Sequence, residues 1–158
     1  MINNQDIKLD ASASAALSKG RLRLWLKILK TSKFIESELR EKLRVEFGTT
    51  LPRFDVMSAL ERAENGLKMS EISGALKVSN GNVTGIVNRL SVEGNLMRMP
   101  VEGDRRAMRV CLTQKGRDTF AELAAVHEIW VGELLDGLGL SEVDQLAGLL
   151  DNTRGAHD

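Results

Sequence analysis

Residues 70–112 read SEISGALKVSNGNVTGIVNRLSVEGNLMRMPVEGDRRAMRVCL, and the fold turns on how this stretch is parsed. Its middle is a helix with a marked start: Ser79 suits the N-cap, and Val78 before it can staple onto Val83. Val83, Ile86, Val87 and Leu90 then recur at three- and four-residue intervals, which lines one apolar stripe along a helix. Asn80 opens the helix, and its opposite face carries Gly81, Gly85 and Asn88, flanked by Asn82, Thr84 and Arg89. No aliphatic or acidic side chain interrupts that face. A merely solvated face is poorly served by glycine, which costs a helix about 1 kcal/mol per residue relative to alanine. Amides, a hydroxyl and a guanidinium suit base edges and phosphates, and glycines let a helix backbone approach a groove closely.

Gly94 is placed to end this helix. Leu96, Met97, Arg98 and Met99 lead to Pro100, and the return run alternates, with Met108, Val110 and Leu112 on one face and Arg109 and Cys111 on the other. Between the strands lies a hairpin tip, Glu102 to Arg106, with two adjacent guanidinium groups; Arg105 and Arg106 can reach a phosphate or enter a narrow minor groove. One is expected to touch DNA and the other to be held by Asp104. Upstream, Ser70 is expected to cap a short helix whose Ile72, Ala75 and Leu76 fill the angle to the second helix. A short helix, a turn, a second helix and a two-stranded basic wing make a winged helix-turn-helix.

The flanks are helical. A loose arm is expected over residues 1 to about 18, then a long helix over about 19–46 with Leu22, Trp25, Ile28, Leu29, Phe34, Ile35, Leu39 and Leu43 on a broad apolar face. A stripe that broad needs more than one partner, which points to a second subunit. Gly48, Thr49 and Thr50 break the helix, and Pro52 fits the first turn of the next, expected over about 51–63. A short strand at residues 67–69 is expected to pair with the wing. After it, Thr113 caps a helix expected to reach Leu138, and a last helix begins at Ser141 and ends near Thr153. The predicted class is mainly α with a small β-wing. Residues 1–46 form an arm and dimerisation helix, 47–113 the winged DNA-binding domain, and 114–158 C-terminal dimerisation helices.

The chain has 158 residues and no formal net charge, yet its charge is unevenly distributed. Residues 68–112 carry +3 and residues 19–46 carry +5, whereas residues 114–158 carry −6. A basic DNA module beside an acidic tail follows from this asymmetry. Lys68 and Lys77 are candidates for phosphate contact.

The segment from Leu51 to Gly116 resembles the MarR family of bacterial transcriptional regulators. GNVT in the second helix, NRL near its end, GDRR in the wing and LTQKG opening the next helix stand in the family's order and spacing. The resemblance implies a homodimer, a pseudo-palindromic double-stranded DNA operator, and a small-molecule or oxidant signal that weakens DNA binding. Gly85 and Asn88 stand where many members carry charged side chains, so base preference does not carry over. In the family, effectors lie between the winged domain and the dimerising helices. That placement makes Arg21, Trp25, Leu29, Phe54, His127 and Trp130 candidate effector residues, with an aromatic acid or its coenzyme A thioester as ligand. Trp25 and Trp130 fit dimer-core packing as well as a ligand wall, and His127 fits a structural role as well as a ligand contact.

Other chemistries find little support. With two histidines and one cysteine, a zinc site lacks ligands; His127 and Glu128 lack the second histidine of H-E-x-x-H because residue 131 is valine. No nucleophile and base arrangement can be assembled, so no enzyme, cofactor or metal is expected. Cys111 is expected to be an inert, partly buried thiol rather than an oxidant sensor. No apolar run approaches the roughly 18–20 residues that span a membrane, and no cleavable signal opens the chain, so a cytoplasmic location is expected. The rival reading is a winged-helix adaptor for protein contact without an operator.

Overall fold

The computed structural model describes residues 4–77, 79–101 and 104–155. Six helices and a small sheet follow in the order α1 (Asn4–Phe47), α2 (Leu51–Glu61), β1 (Leu67–Lys68), α3 (Met69–Leu76), α4 (Asn80–Val92), β2 (Leu96–Val101), β3 (Asp104–Leu112), α5 (Gln114–Leu134) and α6 (Leu140–Gly155). Two compact units divide the chain, Met1–Glu41 and Lys42–Asp158. The first consists of α1 up to Glu41, and the second holds the winged helix-turn-helix and everything after it.

The core of the second unit is the junction of α2, α3, α4 and the sheet. Val56, Met57, Leu60, Ile72, Val83, Val87, Leu90, Leu96, Val110 and Leu112 are all buried there. Each aliphatic side chain so removed from water stabilises the fold by about 1.5–3 kcal/mol. Val83, Val87 and Leu90 are the expected stripe of α4, with Ile86 half-buried beside them. The sheet order is β1-β3-β2, all antiparallel. Pro100 lies on the edge strand β2, where a missing N–H leaves no ladder bond unmade, and the register shifts between Pro100 and Val101.

Two glycines are required by close approach. A Cβ on Gly66, whose φ is +69°, would lie 2.3 Å from the Cys111 sulfur and 2.5 Å from the Val110 carbonyl oxygen. A Cβ on Gly116 would lie 2.0 Å from the Asn95 carbonyl oxygen, because the first turn of α5 sits directly on the turn that ends α4. Thr113 caps α5 as expected, its hydroxyl accepting from the Gly116 N–H at 2.9 Å and donating to the Gly94 carbonyl at 2.6 Å.

Several expected boundaries are corrected. The loose arm over residues 1 to about 18 does not appear: α1 already begins at Asn4. No proline or glycine precedes Gly20, and alanine favours helix strongly enough to carry the Ala11–Ala16 run. Lys68, not Ser70, is the N-cap of α3, because the Glu71 carboxylate accepts from the Lys68 backbone N–H at 2.6 Å. Helix α5 ends at Leu134 rather than Leu138, giving way to a turn through residues 135–137. Helix α6 starts at Leu140, one residue before Ser141, since the Glu142 carboxylate takes the Gly139 N–H at 2.8 Å. Val78, Glu102 and Gly103, on which the staple and the wing tip were expected, lie outside the described residues.

Candidate nucleic-acid interface

The interface is built on α4. Ser79 is its N-cap in extended conformation, and the Val83 N–H reaches the Ser79 carbonyl at 3.2 Å while the Ser79 hydroxyl makes no capping bond. With Val83, Val87 and Leu90 facing inward, Gly81, Asn82, Thr84, Gly85, Asn88 and Arg89 are all exposed on the other side. The helix thus turns one strictly apolar face to the core and one small, polar face outward. That outward surface has the width and chemistry that a major groove accepts.

One residue absent from the expected set belongs to this surface. Arg98 of β2 pairs with Val110 and lies two residues beyond the buried Leu96, on the same side of the strand. Its guanidinium clears the core edge and donates to the Asn88 side-chain oxygen at 2.6 Å. No local pattern announced it: β2 reads Leu-Met-Arg-Met-Pro-Val without alternation, and only the folded chain brings Arg98 beside Asn88.

The other expected DNA contacts separate. Lys77 is exposed and takes a left-handed conformation, φ 52°, as the C-cap of α3. Lys68 is half-buried and cross-strand from Arg109. Arg109 itself is structural, donating to the Gly66 carbonyl at 2.7 Å with the Glu71 carboxylate 3.8 Å away. Asn80 opens α4, and Arg105 and Arg106 lie on β3; their side chains fall outside the described residues, as does any contact with Asp104.

The candidate effector residues are divided between the two units. Phe54 and His127 are stacked, ring centroids 4.4 Å apart and 18° between planes, with Phe120 5.4 Å from Phe54 on its other contact. Burial pushes the His127 pKa below its ordinary value. Trp130 is buried and meets Phe47 edge-on at 6.0 Å, with the Lys42 ammonium 5.5 Å from its ring centre. Arg21, Trp25 and Leu29 belong to the first unit, where Trp25 is 54% exposed. A separate cleft of about 270 Å³ in the second unit is lined by Phe47, Arg53, Met57, Glu93, Asn95 and Glu122 among others, and by none of the six expected residues. Among the described residues no three His, Cys, Asp or Glu side chains gather as metal ligands, and no helix is long and apolar enough to cross a membrane. Cys111 is a free, half-buried thiol.

Comparison with known proteins gives one consistent result. A model of the MarR family matches residues 49–108. The transcriptional activatory protein BadR of Rhodopseudomonas palustris is 26% identical over 165 aligned positions, covering 100% of this chain and 93% of BadR. The crystal structure of a MarR family transcriptional regulator from Silicibacter pomeroyi superposes with a TM-score of 0.74 at 32% identity, covering 89% of this chain and 97% of that one. The fold is also that of CouR from Rhodococcus jostii, solved bound to p-coumaroyl-CoA, with a TM-score of 0.71 at 17% identity over 82% of this chain and 90% of CouR.

Proposed function

The chain belongs to the MarR family of transcriptional regulators, and from that premise we propose that it is a homodimeric, sequence-specific DNA-binding repressor released by a small ligand. It is a regulator of transcription and not an enzyme. The observation that carries the reading is the two-sidedness of α4, with Val83, Val87 and Leu90 buried and Gly81, Asn82, Gly85, Asn88 and Arg89 outward. In this reading residues 47–113 hold DNA, while the first helix and residues 114–158 join two subunits. Large apolar side chains left exposed on the single chain support it: Leu22 and Trp25 on α1, Leu140 and Leu149 on α6.

Two copies of α4 enter successive major grooves of a pseudo-palindromic operator, about 34–36 Å apart, and the wings with Arg105 and Arg106 grip the flanks. Lys68, Lys77, Asn80 and Thr84 complete the proposed contact set. Ligand binding shifts the spacing of the two copies of α4, and a small shift suffices because both half-sites must be met at once. Repression follows where the dimer covers a promoter.

The proposed ligand is an aromatic acid or its coenzyme A thioester. The Phe54 and His127 stack, within the second unit, offers a flat wall for the aromatic ring of such a ligand. The CouR complex with p-coumaroyl-CoA lends the class support at the level of fold. Selection of bound fragments from a random DNA pool at near-physiological salt tests the function. An enriched inverted repeat with half-sites about 10 base pairs apart is expected. No enrichment would turn the reading to a protein adaptor. Calorimetric titration with benzoic and hydroxycinnamic acids and their thioesters tests the ligand, and no binding by any of them removes it.

A further inference from the structure

A second groove opens on the DNA side of the molecule, beside the outward face of α4. It encloses about 420 Å³ between that helix and the corner where α1 passes into α2, and its walls include Thr50, Arg53, Gly81, Asn82, Gly85 and Arg89. No acidic side chain lines it, so its two guanidinium groups make it a positive trough. A Cβ on Gly81 or Gly85 would meet nothing within 4 Å, so the groove has clear space on the side where larger helix residues would project. Helix α2 also begins at this rim, with Thr50 as N-cap and no side chain capping it, which adds the positive end of a helix dipole.

Arg53 is held for this position rather than left to wave. Its side chain is 18% exposed, its Nε is buried without a hydrogen-bond partner, and its terminal nitrogen is ion-paired with Glu93, the C-cap of α4. The same guanidinium lines the inner cleft beside Glu93 and the outer trough beside Arg89. A buried, unpartnered N–H next to an open positive trough is a donor that an oxyanion can draw outward, because a buried donor without an acceptor is unfavourable.

Resting on the DNA-binding reading above, we infer that this trough seats a backbone phosphate of the DNA strand that borders the groove occupied by α4. Arg53 and Arg89 hold the phosphate oxygens, and Glu93 is the internal competitor that keeps Arg53 extended when DNA is absent. The contact carries no base information; it fixes how deeply and at what angle α4 enters.

The test is the salt dependence of full-length protein binding to a duplex, for the wild type, Arg53→Gln, Arg53→Lys and Glu93→Gln. Each phosphate neutralised contributes about 0.9 to the slope of log affinity against log salt, so Arg53→Gln, which leaves Arg89 alone at that phosphate, is expected to lower the slope by at most about 1.8 per dimer. Arg53→Lys should keep the slope. Glu93→Gln, which releases Arg53, should tighten binding several-fold, so the inference does not depend on Arg53→Gln folding well. Uncharged methylphosphonate placed singly along the flanking strand should weaken wild-type binding at one phosphate per half-site and weaken Arg53→Gln less there, because only Arg89 then remains to hold that phosphate. An unchanged slope in Arg53→Gln, weaker binding by Glu93→Gln, or no sensitive phosphate overturns the seat alone. A wild-type chain with no affinity for duplex DNA overturns the regulator reading and the seat with it.

Discussion

Arg98 donates to the side-chain oxygen of Asn88 at 2.6 Å and so ties the outward face of α4 to the strand that opens the wing. With that oxygen engaged, Asn88 presents its two amide N–H donors outward. Purine N7, guanine O6 and thymine O4 are the major-groove acceptors such donors meet. Asn88→Ala is expected to relax base preference at one position per half-site, by about 1–3 kcal/mol in competition between operator variants. Unchanged preference would take Asn88 off the reading face. Arg98→Gln, which frees the amide to rotate, should blur the same position by a smaller factor.

Arg105 and Arg106 lie on β3 at the end of the wing, where the strand pairs with Val101 through Asp104. Replacing either by alanine should weaken binding to every sequence alike and lower the salt slope by about 1 per phosphate lost, without moving the preferred base. Titration of selected and scrambled duplexes over a range of salt checks this. A change in base preference instead would place these residues in a groove rather than on a phosphate.

The elements that carry the site were legible in the sequence because they are written in short-range patterns. The stripe of Val83, Ile86, Val87 and Leu90, the Thr113 cap and the alternation of β3 each depend on residues within one or two turns of each other. What escaped depends on competition or on distance. Lys68 displaced Ser70 as a cap because Glu71 reaches back three residues, a choice settled by one carboxylate. The Ala11–Ala16 run reads as low-complexity when taken alone and as helix once it is joined to α1. Arg53 meets Glu93 across 40 positions, and Arg98 meets Asn88 across a strand; nothing local announces either pair.

Gly116 tests the junction between α4 and α5. Any side chain there would start 2.0 Å from the Asn95 carbonyl oxygen, a backbone atom that cannot swing aside. Gly116→Ala must therefore shift the first turn of α5, at an expected cost of about 1–3 kcal/mol. For a chain of this size that corresponds to a fall in melting temperature of roughly 2–4 °C per kcal/mol, read by thermal denaturation. An unchanged melting temperature would mean that the two elements do not meet this closely.

The proposed dimer predicts a consequence on α6. Leu149 is 57% exposed and shares the helix with exposed Val143, Leu146 and Leu150. Leu149→Glu should leave the single chain folded, because that side chain contributes little to its core, while raising the dimer dissociation constant by at least about tenfold, the equivalent of about 1.4 kcal/mol. Sedimentation at several concentrations measures it. A variant as dimeric as the wild type would move the subunit interface away from this face.

His127 makes the stability of the second unit depend on pH in a stated direction. Its ring is stacked on Phe54, and burial holds its pKa below the ordinary 6.5. Well above 6.5 the ring is neutral in both the folded and the unfolded chain, so it contributes no pH dependence. As the pH falls through 6.5 the unfolded chain takes up the proton first, since the folded chain binds it less readily; the unfolded state then holds more protons and stability declines. The decline stops once the pH has passed below the folded pKa. His127→Phe keeps a ring against Phe54 but removes the proton. Its melting temperature should fall less than that of the wild type between pH 7.5 and pH 5.5, as compared by thermal denaturation in matched buffers. Equal falls would mean that the buried imidazole is not a source of the acid sensitivity, and that the ring carries its proton as freely in the folded chain as in the unfolded one.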